Sequence, residues 1–348
     1  MRLVEIQKGI EGDYIETKDD NLFFDVKGFL HPSDRKICFL RFFPDRNGDR
    51  ERNGIKYKKI YNLNDRYSFL KEHYPKYLFF SKQYDLELQG VLNNDINKIY
   101  TPREYFNKLK KRNNLKNLEN YSLEFCELMI QEGDIPENSI GITGSPMIGL
   151  DNEKSDIDII IYGTETSLTF QRRLNDILNN TRNCRRYNLE EFKSHYTWRF
   201  GGSNISFENF MKSESRKLHQ GKFHGIDFFI RYIKSPKDWK GSYYDYQYKN
   251  LGNIRLIATI LNSKNSIFTP CSYRINTKNI LDTSLNSNDI NISDICEINS
   301  FRGRFCEHAK EGEKVLVEGK LEKVKYKNKL EYFRILLTDP NQDRMIII

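Results

Sequence analysis

Residues 139–163, S-I-G-I-T-G-S-P-M-I-G-L-D-N-E-K-S-D-I-D-I-I-I-Y-G, constrain the fold of this chain more than any other stretch. Residues 140–143 read as a short buried strand that runs into a Gly144-Ser145 turn, and Pro146 suits a first helical position. Asp151, Asn152, Glu153 and Lys154 are turn chemistry. The chain then re-enters the core at residues 156–162, a β-branched run ended by Gly163. Side chains alternate faces along a strand, so Asp156 and Asp158 point the same way, about 7 Å apart. Two carboxylates crowded at the start of an apolar strand repel each other and lose hydration. A divalent cation relieves that cost, and oxygen ligands at this spacing suit Mg²⁺, which also takes phosphate oxygens as partners. An isolated D-x-D is more often a solvated strand start, so the surrounding pattern has to decide.

That pattern is a Gly-Ser turn after a strand, about ten intervening residues, and D-I-D opening an apolar strand. It resembles the signature of the nucleotidyltransferase superfamily that shares the DNA polymerase beta fold. More loosely, the whole chain is similar to a set of archaeal predicted nucleotidyltransferases. The resemblance implies that Gly144 and Ser145 hold a nucleoside triphosphate, and that Asp156 and Asp158 bind catalytic Mg²⁺ (or Mn²⁺). It also implies a third carboxylate on a later strand. Asp227 stands where that residue belongs, at the mouth of the apolar run Ile226, Phe228, Phe229 and Ile230. The rival reading pairs Asp227 with Arg231 or a nearby lysine. Arg216, Lys217 and Lys222 are candidates for triphosphate charge, although surface cations are the commoner meaning of such a cluster.

The resemblance implies an α+β fold built on a central mixed sheet with flanking helices. Residues 1–100 read as a β-rich N-terminal domain of unknown role. A hairpin is expected around Lys18-Asp19-Asp20-Asn21, with a third strand at residues 37–43. The stretch D-R-N-G-D-R-E-R-N at 45–53 offers Arg46, Arg50 and Arg52 as phosphate contacts, although a solvated charged loop is the commoner meaning of such a run. Phe23, Phe24, Phe39, Phe42 and Phe43 are most simply core.

Residues 101–250 form the expected catalytic domain. Thr101-Pro102-Arg103-Glu104 is a helix start with an N-cap, proline at the first position and a capping-box glutamate. A second helix is expected over 118–132, with Gly133 as its C-cap. Lys108, Lys110, Lys111 and Arg112 offer a polyanion contact or a plain solvated face. Further helices are expected over 166–178, after Asn188, and from Ser206 into Lys222.

Residues 251–348 change to short strands and turns, with 280–289 as a polar linker and a strand near 300–307. V-L-V-E-G-K-L-E-K-V resembles a strand pair of OB-type small barrels, which often bind nucleic acid.

At 348 residues with 38% hydrophobic and 30% charged side chains, the chain has the balance of a soluble globular protein of two or three domains. No apolar run reaches the length of a membrane span and the N-terminus has no signal-peptide core, so a cytoplasmic location is expected. Cys38, Cys126, Cys184, Cys271, Cys296 and Cys306 include no C-x-x-C pair, which leaves reduced thiols as the default. The net charge of +8 permits a polyanionic partner without demanding one.

The sequence therefore predicts a metal-dependent nucleotidyltransferase acting on a nucleoside triphosphate, with an RNA or DNA end as acceptor. A protein or small-molecule hydroxyl is the rival acceptor. A nucleic-acid-binding module with a decayed transfer site is the rival class.

Overall fold

The protein is described from a computed structural model covering residues 8–200, 205–283, 291–339 and 342–348. The fold is α+β. The expected N-terminal hairpin forms between β1 (Tyr14–Thr17) and β2 (Phe23–Val26), turned by Asn21 at φ 52°. β3 (Arg35–Pro44) pairs with β2, and β5 (Ile55–Lys59) pairs with β3. The stretch read as a solvated loop contains a further strand, β4 (Arg50–Arg52), which forms a hairpin with β5.

A helix that the β-rich reading lacks, α1 (Leu63–His73), follows. It buries only Leu70 and Arg66 along its length, too little for an apolar stripe to register in the sequence. β6 (Leu78–Ser81), β7 (Leu86–Leu92) and β8 (Ile96–Tyr100) complete a sheet ordered β4-β5-β3-β2-β1-β8, with β7 on β3 and β6 on β7. Phe24, Leu40, Tyr77 and Val91 lie in its core.

α2 (Pro102–Leu109) begins as expected, with Thr101 Oγ1 accepting the Glu104 N–H at 3.4 Å. The Glu104 carboxylate pairs with Lys8. α3 (Asn117–Gly133) ends differently from expectation. Its C-cap is Asp134 at φ 50°, and Gly133 lies inside the helix. Glycine is needed there because a Cβ would stand 2.4 Å from the Phe170 ring.

β9 (Ile140–Thr143), β10 (Ile157–Tyr162) and α4 (Thr164–Asn180) follow. The chain then passes through β11 (Cys184–Arg185), α5 (Leu189–Phe200), α6 (Phe207–Glu214) and β12 (Gln220–Phe223) to β13 (Ile226–Ile233). α6 stops at Glu214, short of the expected Lys222, and the N–H groups of Leu218 and His219 bond Glu307 instead of continuing a helix.

β10 lies between β9, antiparallel, and β13, parallel. Ile157, Ile159 and Ile161 face α3 and α4, where Phe125 meets Phe228 and Phe170 meets Tyr232. The opposite face carries Asp158 and Ile160. The N-terminal segment approaches it so closely that a Cβ on Gly12 would stand 2.1 Å from Ile160 Cδ1.

Two compact units result. One comprises Met1–Ser81, Leu86–Asn183 and Phe223–Tyr243, and the other Lys82–Asp85, Cys184–Lys222 and Tyr244–Ile348. The second unit contains β14 (Tyr246–Asn262), β15 (Cys271–Thr283), β16 (Ile295–Ser300), β17 (Lys314–Tyr326), β18 (Leu330–Leu336) and β19 (Arg344–Ile347). β14-β15-β16-β18-β17 close back onto β14 as a five-stranded ring, with β16 and β18 parallel and the other pairs antiparallel.

The expected linker at 280–289 is strand up to Thr283, and its remainder lies outside the described residues. The strand expected at 300–307 is displaced: β16 ends at Ser300, and Gly303–Phe305 is a 3₁₀ turn. Among the described residues no helix is long and apolar enough to cross a membrane.

Candidate active site

The aspartates sit at the start of β10. Asp158 pairs in register with Thr143 of β9, and Thr143 Oγ1 donates to Gly12 O at 2.7 Å, which ties β9 to the N-terminal segment. Gly144 follows at φ +81° directly against Asp158; a Cβ there would stand 2.6 Å from Asp158 Oδ2. Backbone and carboxylate can approach this closely only because residue 144 has no side chain. Ser145 is buried, and its hydroxyl donates to Ser155 Oγ at 3.0 Å. The Gly-Ser turn is thus fastened to the residue preceding Asp156. Pro146–Ile148 is a single 3₁₀ turn closed by Gly149.

Among the described residues, neither Asp156 nor Asp158 accepts a hydrogen bond or forms an ion pair within 4 Å. Their charge is balanced only through space. Burial, then repulsion by Asp158 and Asp227, pushes the Asp156 carboxyl up to about 6, against the attraction of Lys59 and Arg50. Burial also raises Asp158, opposed by Arg231, Lys59 and Arg41. Asp227 belongs to β13, where the neighbouring pair Ile157 and Phe228 are in register. It therefore lies beside Asp156 and acts on it electrostatically. Arg231 is engaged by other carboxylates. That guanidinium bonds the buried Glu11 at 2.8 Å and lies 4.0 Å from Asp25.

β3, β4 and β5 of the N-terminal sheet bring Arg41, Arg50 and Lys59 to the aspartates, alongside Arg231 of β13. Arg50, expected in solvent, is buried: its Nη1 donates to Leu150 O at 2.5 Å and to Ser155 Oγ at 3.3 Å. Arg52 donates to Tyr100 Oη at 2.6 Å and pairs with Glu16. Lys59, at the end of β5, extends over the rings of Phe42 and Tyr61, 5.9 and 4.8 Å from their centres. Burial pushes its ammonium down to about 8; Arg41 and Arg50 add to this, while Asp158 and Asp156 oppose it.

Several of the other cations proposed from sequence pair with carboxylates outside the aspartate group. Arg216, Lys217 and Lys222 belong to the second unit. Arg216 forms a bidentate pair with Glu313 at 2.6 and 2.7 Å. Lys217 is buried against Glu214. In the cluster after α2, Lys110 pairs with Glu137 and Arg112 with Glu119, while Lys116 reaches Asp151.

No group of three or more His, Cys, Asp or Glu side chains among the described residues is gathered closely enough to hold a metal ion by itself. Mg²⁺ does not require such a cage, since it commonly takes one or two carboxylates together with phosphate oxygens and water. Asp156 and Asp158 fit that requirement: they are hard oxygen donors on one strand face, without protein hydrogen bonds to occupy their lone pairs.

No protein-family model matches the chain, and no solved structure matches it. The chain is similar to the uncharacterized protein MJ1086 of Methanocaldococcus jannaschii, with 28% identity over 333 residues covering 93% of this chain and 94% of that protein.

Proposed function

We propose that the protein is a metal-dependent nucleotidyltransferase with a polymerase beta-like catalytic sheet. One observation carries the proposal: two aspartates that form no hydrogen bond or ion pair among the described residues lie at a glycine turn packed directly against the Asp158 carboxylate. Asp156 and Asp158 would hold Mg²⁺ or Mn²⁺, with Asp227 as the third carboxylate from β13. The metal would neutralise triphosphate charge and help align the attacking and leaving oxygens.

Gly144 lets the β9–β10 turn pack against the Asp158 carboxylate. Ser145 and Ser155, held together by their hydroxyls, fix that turn beside Asp156. Arg50 anchors the same turn through Leu150 O, so a shift of β4 would be felt at the aspartates.

A nucleic-acid end is the acceptor that the second unit favours. Its five-stranded ring has the strand order of an OB-like barrel. Tyr246 and Tyr248 of β14 are stacked at 5.8 Å and Tyr84 stacks on Tyr248 at 5.0 Å, with the Arg334 guanidinium 4.0 Å from the Tyr248 ring. Aromatic ladders of this kind suit stacked bases. A protein or small-molecule hydroxyl remains the rival acceptor.

The experiment is incubation of the full chain with labelled nucleoside triphosphates, Mg²⁺ or Mn²⁺, and separate RNA, DNA and protein acceptors. Label should transfer to the nucleic-acid pool and be lost in Asp156→Asn and Asp158→Asn. Asp227→Asn should keep nucleotide binding while lowering transfer by orders of magnitude. No transfer to any acceptor, with melting curves unmoved by millimolar metal and triphosphate, would sink the proposal.

A further inference from the structure

We infer that Lys59 of the N-terminal sheet is a phosphate-binding residue, taking the non-bridging oxygens of a nucleoside triphosphate held at Asp156 and Asp158. This rests on the functional reading above and gives the N-terminal strands a part in substrate binding.

The argument begins with the cations around the aspartates. Arg231 is bonded to Glu11, Arg50 to Leu150 O and Ser155, and Arg41 to the Tyr14 hydroxyl. Each is tied into the fold through at least one donor, although Arg41 Nε and Arg50 Nε have no partner among the described residues. Lys59 differs. Among the described residues, no hydrogen-bond acceptor and no carboxylate lies within bonding reach of its ammonium, which touches only the faces of Phe42 and Tyr61.

An ammonium carries three donors, and one partly withdrawn from water without an acceptor is costly unless a ligand provides one. Its position is well determined. Lys59 is paired in register with Phe42 on β3. The same Phe42 ring lies 5.4 Å from the Arg50 guanidinium, whose other contacts are in the turn next to Asp156. Lys59, Phe42, Arg50, Ser155 and Asp156 are therefore one connected cluster, in which Arg50 is already fixed by hydrogen bonds and the Lys59 ammonium donates none among the described residues.

The two charges have complementary tasks. In the empty site a lysine facing two carboxylates lowers their repulsion but also competes with a metal for them. When a metal arrives with a triphosphate, four negative charges come with it, and the same ammonium gains oxygen acceptors. Lys59 should therefore oppose binding of the bare metal and favour binding of the metal–triphosphate complex. A lysine that only balanced the aspartates would have the first effect without the second.

The test is titration calorimetry on the full chain with Mn²⁺ alone and with the α,β-methylene analogue of whichever triphosphate the wild type binds in the presence of Mg²⁺. Lys59→Ala should bind Mn²⁺ alone several-fold more tightly, and the triphosphate analogue about tenfold or more weakly, the scale of a lost charge-assisted hydrogen bond. The matching nucleoside monophosphate should change far less. Lys59→Arg should recover part of the triphosphate affinity. Lys59→Met, a neutral unbranched side chain closer in length and without an N–H donor, serves if the alanine variant does not fold. Triphosphate affinity equal in wild type and both neutral variants would overturn the role of Lys59 and leave the transferase reading standing. A wild type that binds no triphosphate with Mg²⁺ or Mn²⁺ would overturn both.

Discussion

Replacing Gly144 with alanine tests the site most directly, because its effect can be worked out before the measurement. Residue 144 has φ +81°, a region where an L side chain costs about 1–2 kcal/mol. The added Cβ also meets Asp158, at 2.6 Å from Oδ2, 3.3 Å from Cβ and 3.4 Å from Cγ, where ordinary contact begins at 3.4 Å. Rotating the carboxylate relieves the first contact. The second lies on the strand itself, which is fixed by pairing to β9 and β13 and has little room to yield. Gly144→Ala should therefore lose about 1–3 kcal/mol of folding stability by chemical denaturation. It should also turn the Asp158 oxygens away from the ligand position, lowering Mn²⁺ affinity by about tenfold or more. A misplacement of about 1 Å at a reacting centre can cost roughly a hundredfold in rate. A folded variant within about 0.5 kcal/mol of wild type, with unchanged Mn²⁺ affinity, would refute the idea that Gly144 is there to admit the carboxylate.

Two further outcomes follow from particular contacts. Alanine in place of a helix-interior glycine normally gains about 1 kcal/mol, but Gly133→Ala should lose about 1–3 kcal/mol by overpacking against Phe170; a higher melting temperature would contradict the contact. Burial pushes the Asp13 carboxyl up to about 8, against the N–H groups of Ile10 and Gly9. The folded form thus keeps a proton that the unfolded chain releases near its ordinary value of about 3.9, and stability should decline as pH rises from about 4 to 8 and then level off. Asp13→Asn should remove that part of the decline in denaturation curves taken across the range, and parallel curves for the two proteins would show that the group does not titrate there.

What the sequence disclosed, and what it hid, follows the distance over which each feature is determined. The hairpin at Asn21, the cap at Thr101 and the apolar strands at β10 and β13 are specified by neighbours within a few residues. The shared face of Asp156 and Asp158 needed only the alternation of a strand. Arg50 was unreadable because its acceptor, Leu150 O, is 100 residues away. Nothing within D-R-N-G-D-R-E-R-N distinguishes a buried arginine from a solvated one. Lys59 was hidden for the same reason, since the aspartates it faces lie on a different sheet. Gly133 was misread as a helix end because glycine has two uses, and the Phe170 ring that decides between them lies on the next helix.

The order in which the chain visits its two units has a consequence for biosynthesis. β10 and β13 are parallel neighbours in the first unit, yet residues 184–222 between them belong to the second. A nascent chain that has reached Asn183 holds β10 against β9 alone. The other edge, I-D-I-I-I-Y, then presents unpaired N–H and C=O groups beside four isoleucines that are fully buried once folding is complete. Apolar open edges of this kind recruit other strands and aggregate. Pairing of β13 must also wait for a long loop to close, which slows folding. A fragment of the first unit cut at the first apparent boundary would therefore precipitate, whereas one that restores residues 223–243 alongside β10, even by circular permutation, should remain in solution.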